Sequence, residues 1–171
     1  LAMAYNKNGQ WKKARATLQP LLQQLPGRIA YSLMDIEIDL TAGKLELAEK
    51  RLRDLYAITP NNYAISMLLA DTLLKNKNYV TAQQVLEKLS KVRHKQADVW
   101  YLLAETQGLA GDILNLHLSR AEFFLLRGNF LQARKQLNYA LKIAGNDFKV
   151  SARIKQRLLD TERIRQITEQ L

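Results

Sequence analysis

Two histidines, His94 and His117, are the only imidazoles in 171 residues, and the chain has no cysteine. A zinc site needs three or four His, Cys or carboxylate ligands converging on one point, often with a histidine pair at i and i+4 on a helix. Neither histidine has a second one at i+4, and GxGxxG, Walker, HExxH and GxSxG patterns are all absent. Both histidines therefore read as structural, and the chain as no enzyme by itself, without cofactor or metal of its own. What it does carry is a regularly spaced set of carboxylates, Glu37, Asp71, Glu105 and Glu122. The first three recur at one interval, and the last follows after half of it. One helical turn before each comes an apolar side chain: Leu33, Met67, Tyr101 and Leu118. Positions four apart share a helix face, so each pair sets an acid beside an apolar group. That chemistry is adhesion rather than catalysis. Either the acids pair with nearby Lys and Arg and carry little information, or the two ladders line a groove for an extended or partly unfolded protein segment, with Met67 and Tyr101 as adaptable contacts. Acids there would repel a partner's carboxylate tail.

The elements that must position these residues follow from a repeat. Gly9 and Gly43 lie one interval apart and Gly43 and Gly111 two, with Lys77 in the missing register. Two positions after each comes a bulky apolar side chain (Trp11, Leu45, Tyr79, Ile113), and small residues follow at Ala14, Ala48 and Ala82. Leu18, Leu52 and Leu86 come one helical turn later, and Pro26 and Pro60 close the first two units. Glycine admits the left-handed backbone that ends a helix, and alanine lets the next helix lie close. An interval of about 34 residues with this composition is the tetratricopeptide signature. One hairpin cannot bury its own apolar face, so hairpins stack. The expected fold is all-α: a tetratricopeptide solenoid of about ten antiparallel helices in a right-handed superhelix, whose first helices present the acid and apolar ladders on the concave side.

The chain divides into repeats at approximately 1–28, 29–62, 63–96, 97–127 and 112–145, with a capping helix over 146–171, all in one domain. Pro20 should kink the second helix. Thr59-Pro60-Asn61-Asn62 is a stop and restart. At Lys75–Asn78, Asn76 or Asn78 is expected to supply the left-handed residue. After Gly111 the period breaks: Leu116 stands where a small contact residue belongs, and Gly128-Asn129-Phe130 arrives after only half an interval. The helix from Asp112 to Arg127 must then close one hairpin and open the next, which suits its apolar residues on nearly every side. The last helix has a narrow stripe, Val150, Ile154 and Leu158, and many basic residues, as a polar cap requires.

The net charge of +10 and pI near 9.9 would suit a nucleic acid, but the basic residues are spread over every repeat and mixed with acids rather than gathered on one stripe with aromatics. Nucleic acid is not the expected partner. No apolar run approaches the length of a membrane span, roughly 18 residues or more. The beginning, Leu1-Ala2-Met3-Ala4-Tyr5, fits the late part of a first helix, so the chain reads as a piece of a longer protein.

From Asp98 onward a narrower likeness emerges. Val99-Trp100-Tyr101-Leu102-Leu103-Ala104-Glu105, Ala121-Glu122-Phe123-Phe124-Leu125-Leu126-Arg127-Gly128-Asn129-Phe130 and Gln136-Leu137-Asn138-Tyr139-Ala140-Leu141 run in this order. Asn146-Asp147-Phe148 and Ala152-Arg153-Ile154 with Arg157-Leu158 complete the series. Together they resemble the C-terminal tetratricopeptide domain of the bacterial periplasmic zinc metallopeptidases of the BepA type. The resemblance implies a periplasmic location, a parent with an HExxH zinc peptidase domain, and a role in quality control of outer-membrane protein assembly. Implied partners are the assembly machinery, unfolded β-barrel clients and the parent's own peptidase domain. No catalytic residue carries over to this chain. The other expectation from sequence is a stand-alone tetratricopeptide scaffold or regulatory adaptor with no enzymatic parent.

Overall fold

The computed structural model describes residues 1–170, and among these the chain forms ten α-helices and no strand. In order they are α1 (Ala2–Lys7), α2 (Trp11–Gln24), α3 (Ile29–Thr41), α4 (Leu45–Ile58), α5 (Tyr63–Lys75), α6 (Tyr79–Val92), α7 (Ala97–Leu109), α8 (Ile113–Leu126), α9 (Phe130–Ala144) and α10 (Phe148–Glu169). Leu171, the final residue expected in the capping helix, lies outside the described residues. The helices gather into two compact units that divide after Lys77. In the first, α1 to α5 pack in succession; in the second, α6 to α10 do.

The turns follow the glycine register. Gly9, Gly43, Gly111 and Gly128 have φ of +70°, +75°, +80° and +70°. In the register that lacks glycine the left-handed residue is Lys77 itself, at φ 59°, rather than Asn76 (φ −80°) or Asn78 (φ −91°). The turn geometry fixes which position must be left-handed, whatever side chain it carries. The two asparagines work by hydrogen bonding instead: Asn76 donates to Glu49, and Asn78 Oδ1 accepts from Thr81 Oγ1 at 2.8 Å. Several helices begin on a side-chain cap. Asn62, Asp112, Asn129 and Asp147 accept from the backbone N–H three positions on, which answers one of the otherwise unpaired donors of the first turn.

Ala14, Ala48, Ala82 and Ala133 are fully buried at the helix contacts, and Leu18, Leu52, Leu86 and Leu137 fill the core behind them. Helix α2 continues through Pro20. At the broken period the small residue has changed sides. Leu116 of α8 leans on Gly108 of α7, where a Cβ would come within 2.7 Å of Leu116 Cδ1. The hairpin still closes because glycine on the first helix makes the room that alanine makes elsewhere on the second. Helix α8 packs against both α7 and α9, with Ser119 and Ala121 as its buried residues. The stripe on α10 is its core contact: Ile154 is buried with Ala121, Leu137 and Ala140, and Val150 and Leu158 pack around them. No helix among the described residues is long and apolar enough to cross a membrane.

Candidate functional site

In the first unit the strongest electrostatic feature is one that repeat spacing does not announce. Asp39 is buried and takes Arg15 Nη2 at 2.6 Å and Arg51 Nη1 at 2.5 Å. Asp35, one turn earlier on α3, takes Arg51 Nη2 at 2.7 Å and lies 3.3 Å from Arg15 Nε. Two arginines from α2 and α4 thus clamp two carboxylates on the helix between them. Burial works to raise the Asp39 pKa, but the Arg15 and Arg51 hydrogen bonds and charges outweigh it and hold the carboxyl below its ordinary value. This is a fastening, not a reactive site, because every carboxylate oxygen of the pair already faces a guanidinium.

The predicted ladder begins on another face of α3 and continues on α5. Leu33 and Met67 are half-buried, and Glu37 is exposed with no ion-pair partner among the described residues. Asp71 is not free: Lys75, one turn on, holds it at 2.6 Å. In the second unit the ladder parts into two clefts. Tyr101 and Glu105 line a cleft of about 340 Å³ with Leu116, Arg120 and Phe123, and the Tyr101 and Phe123 rings lie 5.5 Å apart. Leu118 and Glu122 line a different cleft of about 450 Å³, whose walls include Trp100, Leu103 and Ile154. The division is helical geometry. At about 100° per residue, 116, 120 and 123 share one side of α8, while 118 and 122 point the opposite way. One continuous ladder through Glu105 and Glu122 is therefore not what the second unit presents.

Glu122 is also answered within the chain. Arg157 of α10 donates Nε to Oε1 at 2.7 Å and Nη2 to Oε2 at 2.5 Å, a two-pronged pair that raises the Arg157 pKa. Sequence reasoning noticed both Glu122 and Arg157 but had no means to pair positions so far apart in the chain. The larger cleft contains a further group that the sequence does not single out. Gln107 of α7 is 3% exposed, and its Oε1 finds no hydrogen-bond donor. The histidines have packing partners or solvent. His117 Nδ1 lies 2.7 Å from Gln136 Oε1 with its ring against Tyr139, whereas exposed His94 offers its backbone carbonyl to Trp100 Nε1 at 2.8 Å. Among the described residues, no group of three or more His, Cys, Asp or Glu side chains is placed to hold a metal ion. The ligand set of a zinc peptidase is not found in them.

The helical order, the left-handed turns and the buried alanine contacts agree with comparison to known proteins. Residues 39–106 match the family model described as tetratricopeptide repeat. MamA from Desulfovibrio magneticus RS-1 superposes with a TM-score of 0.64 at 17% identity, over 95% of this chain and 91% of that one. A thermophilic tetratricopeptide protein of Thermus thermophilus gives 0.57 at 18% identity, over 93% and 96%. This is a tetratricopeptide repeat fold. In sequence the chain is similar to the β-barrel assembly-enhancing protease of Escherichia coli K12, 30% identical over 139 residues, which is 81% of this chain and 28% of that protein. The Yersinia pestis protein of the same name is 30% identical over 127 residues, 72% of this chain and 26% of its own length. The tetratricopeptide chain thus spans about a quarter of the length of the curated relatives it matches.

Proposed function

We propose that this chain is the protein-recognition domain of a BepA-type periplasmic protease and chaperone, and that it brings outer-membrane assembly machinery and β-barrel clients to a zinc peptidase domain elsewhere in the parent. The observation that carries the reading is the similarity to β-barrel assembly-enhancing proteases over 81% of the chain. A repeat fold that leaves Glu37 and Tyr101 exposed supports a binding role for this part. The zinc of the parent belongs to its peptidase domain.

The contact residues we assign are Leu33, Glu37, Met67 and Asp71 in the first unit, and Tyr101, Glu105, Leu118 and Glu122 in the second. Tyr101 is the best single anchor, since it is 56% exposed, lines a cleft and is held against Phe123. The test is photo-crosslinking from position 101 in the full-length parent, in cells with an outer membrane. Assembly components and unfolded β-barrel clients should be captured, and Tyr101→Ala with Glu105→Lys should reduce co-purification severalfold at an unchanged melting temperature. Capture of neither, with a parent gene that lacks an HExxH domain, would instead leave a stand-alone scaffold. If Arg153→Glu abolished binding while the Tyr101 and Glu105 pair did not, the closing helix would be the contact.

A further inference from the structure

We infer that a third cleft of the second unit, where α8 turns into α9, takes an acidic protein segment with carboxylate side chains on either side of a large apolar residue. Arg127 and Arg134 hold the carboxylates. The inference rests on the reading of the chain as a protein-recognition domain and adds to it a contact apart from the Tyr101 cleft.

The cleft, of about 630 Å³, is lined by Arg127, the start of α9, Arg134, and Arg165 with Glu169 from α10. Its three guanidiniums are not equivalent. Arg165 is spent within the chain, donating Nη2 to Glu162 at 2.6 Å and Nη1 to Glu169 at 2.9 Å. Both acids are thereby answered, and Arg134 is left over. It comes only within 4.0 Å of Glu162, beyond hydrogen-bond reach, with its side chain 55% exposed. Arg127 is exposed as well and has no ion-pair partner among the described residues. Two guanidinium forks with nothing to hold thus line one concavity, and a carboxylate is the planar anion that such a fork fits.

Two features select a protein acid over other anions. Leu131, 64% exposed, lines the cleft with the arginines, so a ligand gains by laying an apolar side chain there. Glu169 lines it too, with its side chain 59% exposed. A dianionic phosphate or the flat surface of an anionic membrane meets that carboxylate together with the arginines and is partly repelled. A flexible chain escapes the conflict. It turns single carboxylates to Arg127 and Arg134 and sets the residue between them on Leu131.

The probe is an acetylated and amidated glycine and serine peptide with aspartate-leucine-aspartate at its centre, so that side chains are its only acids. It is titrated into the whole chain and followed by the backbone amide NMR shifts of residues 127–134. These should saturate below about 1 mM peptide. Affinity should fall about tenfold or more with asparagine for both aspartates, and severalfold with alanine for leucine. It should also fall severalfold between about 0.05 and 0.5 M salt, as contacts of exposed charges do. Arg127→Gln with Arg134→Gln should lose about tenfold at an unchanged melting temperature, since both side chains are exposed. Lys155→Gln with Arg163→Gln removes the same charge from exposed positions of α10 outside the cleft and should lose less than about twofold. Equal losses in the two pairs would overturn the inference, because net charge alone would then attract the peptide. So would equal binding of the asparagine peptide, or no shift at millimolar peptide. Saturation by inorganic phosphate or phosphatidylglycerol vesicles at lower concentration than by peptide would make the cleft a general anion or membrane site instead. Crosslinking from Tyr101 in cells does not involve Arg127 or Arg134, so failure here leaves the broader reading standing, and failure there leaves the measured peptide affinity.

Discussion

Lys77 shows how strictly one position can be held by geometry rather than by side chain. Four equivalent turns place glycine there, and Lys77 adopts the same left-handed backbone at φ 59° although a Cβ makes that region costly by about 1–2 kcal/mol. Lys77→Gly relieves the strain but adds freedom to the unfolded chain. The net gain should be up to about 1 kcal/mol, seen as a melting temperature raised by a few degrees; a lowered one would mean that the lysine is unstrained. Asp39 gives the second residue-scale prediction. Its folded pKa lies below the ordinary 3.8, so the stability it contributes is complete above that value and is lost as pH falls through the lower folded one. Melting temperature should hold from neutral pH to about 5 and decline on further acidification. Asp39→Asn should cost about 2 kcal/mol at neutral pH, less than a fully buried pair because both arginines are about a third exposed, and should flatten the acid limb. An unchanged acid limb would show that other carboxylates set it.

At the scale of elements, the sequence pattern predicts helix order and type well because glycine and alanine mark backbone constraints that recur at a fixed interval. Helix α8 packs against both α7 and α9, and its opposite sides line different clefts. Counting by repeat position sets Leu118 and Glu122 in line with Tyr101 and Glu105, whereas the side of α8 that meets the Tyr101 cleft carries Leu116, Arg120 and Phe123, and Leu118 and Glu122 fall on the other. Pairings such as Arg15 with Asp39, or Glu122 with Arg157, are invisible for a related reason: they depend on how helices meet, and no period brings them together. The exchange of small and large partners makes a prediction of its own. Gly108→Leu should overpack the α7–α8 contact and cost about 2–3 kcal/mol. Combining it with Leu116→Ala restores the arrangement of the other hairpins, large on the first helix and small on the second. A double-mutant cycle by urea denaturation should then recover at least about 0.5 kcal/mol. Simple additivity would mean that the two side chains do not share the space.

For the molecule as a whole, repeat folds distribute stability along the chain, since each hairpin touches mainly its sequence neighbours. Here the helices gather into two compact units divided after Lys77, each with its own buried cluster: Ala2, Ala14, Leu18 and Ile38 in the first, Ala121, Leu137, Ala140 and Ile154 in the second. The first unit adds the clamp of Arg15 and Arg51 on Asp35 and Asp39, which ties α2, α3 and α4 together. Damage at one helix contact should therefore fall most heavily on the helices nearest it in sequence. Ala48→Leu forces a large side chain into a fully buried contact at about 1–3 kcal/mol. Amide exchange should accelerate by roughly the corresponding 5- to 150-fold in α2 to α4. In α9 and α10, which are built around Leu137 and Ile154, exchange should change little. Ala133→Leu, the equivalent insult in the second unit, should reverse the pattern. If Ala48→Leu instead lowered protection equally in all ten helices, the chain would unfold as a single cooperative body and stability would not be distributed along the repeats.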